Sequence, residues 1–179
     1  MKRLFITLLT LLWLTACESR RTTDTTQVSD TAQTGPTESN SLTATTSLSP
    51  RLQALGLTPG HDWKTVSLGD DFAAVKATAK VEPFEQDAQH VGYSTEFENL
   101  ESVDYQYFQE KGKVNKIQVD LYLNTAASVA AYRQDLTTYL TSRYGQPTTA
   151  GTTTTWPNGK AELKDVSKGK DFGLRLVLK

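Results

Sequence analysis

The sequence is poor in the residues that carry most metal and redox chemistry. Cys17 is its one cysteine, which excludes an intrachain disulfide framework and any multi-cysteine metal site. Histidine occurs twice, at His61 and His90, in neither an HxxxH nor an HxH pair, so no zinc or transition-metal site is expected. The calcium-binding DxDxDG loop is missing, as are the GxSxG, Walker A and GxGxxG motifs. No catalytic residue, metal or cofactor is therefore assigned. The nearest approach to a carboxylate cluster, Asp70-Asp71, reads as a helix N-cap. Net charge is also small: 19 Lys and Arg against 20 Asp and Glu give −1. A dedicated nucleic-acid binder would need a basic excess to neutralise phosphates. Long apolar runs are lacking too. The longest, Leu4 to Leu14, is broken by Thr7 and Thr10 and falls well short of the roughly 20 apolar residues that span a bilayer.

That run follows a short positive head, Met1-Lys2-Arg3, and so has the form of a signal-peptide core. It ends in Leu14-Thr15-Ala16-Cys17. This tetrad resembles the lipobox of bacterial lipoproteins, an aliphatic residue and two small ones before a cysteine. The resemblance covers residues 1–17 and implies that residues 1–16 are removed, that the Cys17 sulfur carries a diacylglyceryl group, and that the new amino terminus is acylated as well. The partner so implied is the lipid bilayer, held through acylated Cys17. Each buried methylene contributes about 0.8 kcal/mol, so several acyl chains make attachment effectively permanent. The other reading is an ordinary secretory signal that leaves Cys17 as a free thiol, but lipidation accounts for the chain's one cysteine. In enterobacterial lipoproteins an aspartate after the cysteine retains the protein in the inner membrane. Glu18 stands there instead, which places the expected address in the cell envelope, at the outer membrane of a two-membraned host, with the folded domain in the periplasm or at the surface.

From Glu18 to Pro50 threonine and serine dominate and no aromatic residue occurs. Such a segment buries too little surface to offset the entropy of ordering. Residues 17–50 are read as a lipidated cysteine and a tether, which as a flexible coil would have a root-mean-square span of roughly 30 Å. Within it, Asp24-Thr25-Thr26 and Asp30-Thr31-Ala32 look like the acceptor pattern for O-glycans in some Gram-negative envelope proteins, making Thr25 and Thr31 candidate glycosylation sites.

Residues 51–179 are expected to form one domain. Ser49-Pro50-Arg51-Leu52 combines an N-cap with a first-turn proline and predicts a short helical turn ending at Gly56. Asp70 or Asp71 caps a second helix with Phe72, Val75 and Ala79 on one face. Alternation then predicts strands: Val91, Tyr93, Thr95 and Phe97 share one face, as do Val103, Tyr105 and Tyr107. Beyond a turn at Glu110-Lys111-Gly112-Lys113, Ile117, Val119, Leu121 and Leu123 alternate with Lys116, Gln118, Asp120 and Tyr122. Asn124 or Thr125 opens the clearest helix, with Val129, Tyr132, Leu136, Tyr139, Leu140 and Tyr144 on its apolar stripe and Gly145 closing it. Three short strands finish the chain. The fold class is thus α+β, order α-βββ-α-βββ, an antiparallel sheet of five to six strands with two main helices on one face. The repeated order is the pattern a worn duplication leaves. In element order alone it is similar to small α+β modules of envelope lipoproteins, including the scaffolds of outer-membrane assembly lipoproteins, and to β-lactamase inhibitor proteins. No functional residue is carried over from that likeness.

Charge is unevenly spread. Eight acids and no Lys or Arg lie between Lys80 and Lys111, a balance of −8, and the chain from Lys111 to Lys179 balances at +6. Such polarity steers a charged partner, or simply sets opposite charges across neighbouring strands. Tyr93, Tyr105, Tyr107, Trp63 and Trp156 suit either a groove or a core. Tyr122 stands opposite the apolar face of its strand, so Tyr122 and Val114 are the expected contact residues if the second sheet face is open. The expected role is a non-enzymatic binding or structural module for an envelope protein or cell-wall component. The alternatives are an inhibitor or immunity lipoprotein, and an envelope hydrolase using His61 or His90, for which His61-Asp62 is the most tempting seed.

Overall fold

The computed structural model describes residues 48–179. Cys17, Thr25 and Thr31 lie outside the described residues. Leu48 is buried, and Ser49 caps α1 (Pro50–Ala54) by accepting the Leu52 N–H. The Ser49 hydroxyl and the Arg51 guanidinium both donate to Asp135 at 2.7 Å, which ties this turn to the long helix described below.

In α2 (Phe72–Thr78) it is Asp71 that caps, accepting the Ala74 N–H at 2.9 Å. Asp70 accepts the Ser67 N–H at 2.8 Å and holds the preceding turn. Ala79 was expected on the apolar face. It is exposed, because the helix stops at Thr78 and the backbone turns extended there.

The strands form one antiparallel sheet: β1 (Glu85–Gln86), β2 (His90–Glu96), β3 (Ser102–Glu110), β4 (Lys113–Leu123), β5 (Thr148–Ala150), β6 (Thr153–Thr155), β7 (Ala161–Asp165) and β8 (Phe172–Leu178). Between β4 and β5 runs α3 (Ala126–Tyr144), capped by Thr125, whose hydroxyl accepts the Ser128 N–H, and closed by Gly145 at φ 89°. The spatial order is β1-β2-β3-β4-β8-β7-β6-β5. The first half is thus two helices followed by four strands and the second is one helix followed by four strands, and the last strand of each half meets the other at the centre of the sheet.

Two counts differ from the sequence reading. Among the described residues the sheet has eight strands instead of five to six, and there are three α-helices instead of two. The additional strands, β1 and β5, have two and three residues at the sheet's edges, too few to show an alternation. The third helix is the turn at Pro50, long enough for one helical repeat only.

The three helices cover a single sheet face. Val129, Tyr132, Leu136, Tyr139 and Leu140 of α3 pack on Ile117, Val119 and Leu121 of β4 and on Leu174, Leu176 and Leu178 of β8, all within one buried cluster. Trp63 and Trp156 complete it at 0% and 1% exposure, so both are core residues. Among the described residues no helix is long and apolar enough to cross a membrane.

The loop between α1 and α2 is held to the end of α3 by a polar clamp. Asp62 accepts the Leu68 N–H at 2.8 Å through one carboxylate oxygen, and Arg143 at 2.8 Å and the Tyr144 hydroxyl at 3.0 Å through the other. Arg143 also donates to the His61 carbonyl and, at 2.8 Å, to the Tyr139 hydroxyl.

Candidate functional site

The sheet face away from the helices is polar, and strand pairing sets its charges in a row. Ser94 pairs with Asp104, Asp104 with Asp120, Asp120 with Arg175, and Arg175 with Lys164. The row therefore reads acid, acid, base, base across four strands. Only its middle is an attractive contact: Arg175 Nε donates to Asp120 at 2.5 Å. That bond holds Arg175 above its ordinary value, ahead of an opposing loss from burial. The flanking pairs, Asp104 with Asp120 and Arg175 with Lys164, are like charges directly opposite one another, an arrangement that destabilises a sheet. Within this row the opposite-charge pairing expected between neighbouring strands holds at one position and fails at the two beside it; it holds also where Glu110 stands opposite Lys113.

Next to this row stands Tyr122, 52% exposed. Burial of part of the ring raises its hydroxyl above the ordinary tyrosine value. The charges of Asp104 and Asp120 add to the rise, as does a hydrogen bond to Asp104. Opposite Tyr122 is Gly173, which presents no side chain. A Cβ on Gly173 would lie 2.8 Å from the Leu121 carbonyl oxygen and 3.4 Å from a methyl of Val166, itself 40% exposed. An aromatic ring, a buried position without a side chain and an exposed valine thus adjoin the charged row.

The β2 edge of the same face is capped by aromatics. Phe84, half exposed, lies over Gly92, where a Cβ would come within 2.8 Å of its ring. His90 stacks on Phe108 with centroids 5.4 Å apart, and Lys116 Nζ sits 3.4 Å above the same ring. His90 Nδ1 is 3.0 Å from Asp87 and Nε2 is 3.3 Å from Glu85. The backbone N–H groups of Gln89 and His90 hold the Asp87 carboxyl below its ordinary range. His90 thereby braces the β1–β2 turn.

Val114 departs from the sequence reading. It is 2% exposed and joins the core, because the register skips a residue: Phe108 pairs with Lys116 and Gln109 with Val114, leaving Asn115 as a bulge. A bulge reverses the facing of everything before it, so Val114 points to the side occupied by Ile117 and Val119. Tyr122, beyond the bulge, keeps its expected side.

The two histidines are not brought together. His61 Nδ1 lies 3.4 Å from the Ser67 hydroxyl, and the adjacent Asp62 is engaged in the clamp. Ser167 and Lys170 have a Ser-x-x-Lys spacing. They fall in the β7–β8 turn, where the Ser167 hydroxyl accepts the Gly173 N–H at 3.2 Å, instead of on a helix. Among the described residues no group of three His, Cys, Asp or Glu side chains is arranged to hold a metal ion. Comparisons of the chain with protein-family models, curated proteins and solved structures give no match.

Proposed function

We propose that this chain is a lipid-anchored envelope protein, non-enzymatic, that recognises a protein partner through the open face of its sheet, with Tyr122 at the centre of the contact. The observation that carries the reading is the charged row beside Tyr122. Asp104 and Asp120 on one side, and Arg175 and Lys164 on the other, have repulsion that a partner relieves by presenting a cation to the first pair and a carboxylate to the second. Tyrosine and arginine are also among the side chains enriched at the hot spots of protein interfaces. The anchoring part of the reading rests on the lipobox-like tetrad ending at Cys17.

Both parts are tested in cells fed a clickable fatty acid. Wild type is expected to take the label and to fractionate with membranes, and Cys17→Ser to lose both. Crosslinked pull-downs from the same membranes are expected to recover one dominant partner, with recovery falling about ten-fold or more in Tyr122→Ala and declining with added salt. An unlabelled wild type overturns the anchor. Recovery of bait alone, or of a partner indifferent to Tyr122→Ala, overturns the contact. Recovery of glycan strands in place of protein moves the partner to the cell wall and overturns the protein reading.

A further inference from the structure

On the helix-covered side, where α2 is too short to close over β2 and β3, a cavity of about 450 Å³ remains, within the size range of small-molecule sites. Tyr93, Tyr105 and Tyr107 line it as a cluster, with ring centroids 5.6 to 6.3 Å apart. Tyr105 is hydrogen-bonded to Thr95. The hydroxyls of Tyr93 and Tyr107 have no hydrogen-bond partner among the described residues; both residues line the cavity, and neither hydroxyl is sealed from solvent. Burial raises the ionisation of all three above the ordinary tyrosine value, so all three stay protonated and able to donate.

Lys64 enters the same cavity. Its Nζ lies 4.8 Å from the centre of the Tyr105 ring, and no carboxylate among the described residues is within ion-pair distance of it. Partial burial lowers its proton affinity, the mark of a cation short of solvent and of counter-charge. The backbone is shaped to place it. Lys64 itself takes φ 53°, a left-handed conformation that a long side chain rarely adopts without support from its surroundings. Its carbonyl is fixed by the Thr58 hydroxyl. Gly56 passes beside the ammonium at a point where a Cβ would come within 3.2 Å of Nζ. Lys80 also lines the cavity, and no acidic residue does, although the strands beneath belong to the part of the chain with eight acids and no cation between Lys80 and Lys111. Val66, Val75 and Val81 supply the apolar wall.

We propose that this cavity binds a small organic anion with an apolar body, a carboxylate on an aromatic or aliphatic frame, whose charge meets Lys64 and the tyrosine hydroxyls and whose body lies against the rings and valines. The inference is independent of the open-face reading, because the two sites lie on opposite sides of the sheet.

The test titrates naphthylacetate, and its uncharged amide naphthylacetamide, into the full chain held in lipid nanodiscs, with ligand-observed NMR reading the bound fraction against empty nanodiscs. Saturable binding of the acid is expected, with the amide at least ten-fold weaker. Lys64→Met is expected to weaken the acid about ten-fold and leave the amide unchanged. Lys64→Arg, which keeps the charge, should preserve the preference for the acid. Tyr107→Phe keeps the ring and removes one donor, so acid binding should fall several-fold. Tyr122→Ala should alter nothing here, which separates this site from the partner surface. Acid and amide binding alike, acid binding indifferent to Lys64→Met, or no saturable signal above empty nanodiscs would each overturn the proposal.

Discussion

Asp62→Ala is expected to lower the unfolding free energy by about 2–3 kcal/mol, a fall of roughly 10 °C in Tm, read by thermal and urea denaturation. The reason is the number of groups that lose their acceptor at once: the Leu68 N–H, the Tyr144 hydroxyl and one arm of the Arg143 guanidinium all converge on this carboxylate. Its side chain is 12% exposed and that of Arg143 is 26% exposed, so water replaces those contacts poorly. Asp62→Asn should cost about half as much, because the amide oxygen still serves one donor set. Equal losses in the two variants would mean that the clamp works by shape and not by hydrogen bonding. The clamp bears on ligand binding as well: the segment it pins carries Lys64, so Asp62→Ala should also weaken anion capture in the tyrosine-lined cavity.

The second large effect is alkaline. Burial, followed by the charge of Asp62, pushes Tyr144 up to about 12. Burial likewise lifts Tyr93, Tyr105, Tyr107 and Tyr122 above 10.0. A phenol with a folded-state pKa above its unfolded value contributes its full stabilisation below the unfolded pKa. That contribution is lost as pH rises through the folded one. Lys64 and Lys116 act in the opposite sense, since burial lowers them and losing the proton relieves the fold, but five tyrosines outnumber two lysines. Stability should hold to about pH 10 and fall steeply between there and about 12. Tyrosinate absorbance should appear late and together with the loss of near-ultraviolet circular dichroism. A smooth titration of all seven tyrosines near pH 10 with the dichroism intact would show that the rings are solvated.

What the sequence disclosed about the fold follows the strength of each periodicity. β4 and α3 are long enough for their apolar positions to recur several times, and Ile117, Val119, Leu121 and Leu123, like Val129, Leu136 and Leu140, are buried as that recurrence requires. The strands at the sheet's edges repeat nothing and were invisible. Val114 marks a different limit: a single unpaired residue, Asn115, reverses the facing of the strand before it, and no local pattern announces a bulge. For the open face, Tyr122 was legible because its side is set by β4 alone. The like-charge row was not, since it arises from the pairing of β3, β4, β7 and β8, which are distant in sequence. The tyrosine-lined cavity was half legible. Alternation put Tyr93, Tyr105 and Tyr107 on one side, but only the arrangement of α2 and the Lys64 loop decides whether that side is filled or hollow.

The strand order has a consequence for how the molecule is made. β8 is the last of the described strands to leave the ribosome, yet it sits in the middle of the sheet, paired with β4 on one side and β7 on the other. Until it arrives, the seven residues of β4 that pair with it, Ile117 to Leu123, expose an unpaired, strongly apolar edge, the kind of template that recruits strands from other chains. The two halves have no seam without it. A nascent chain therefore carries its stickiest surface for as long as synthesis of the second half takes, and closing the sheet is a single late event of long sequence separation, a slow class of folding step.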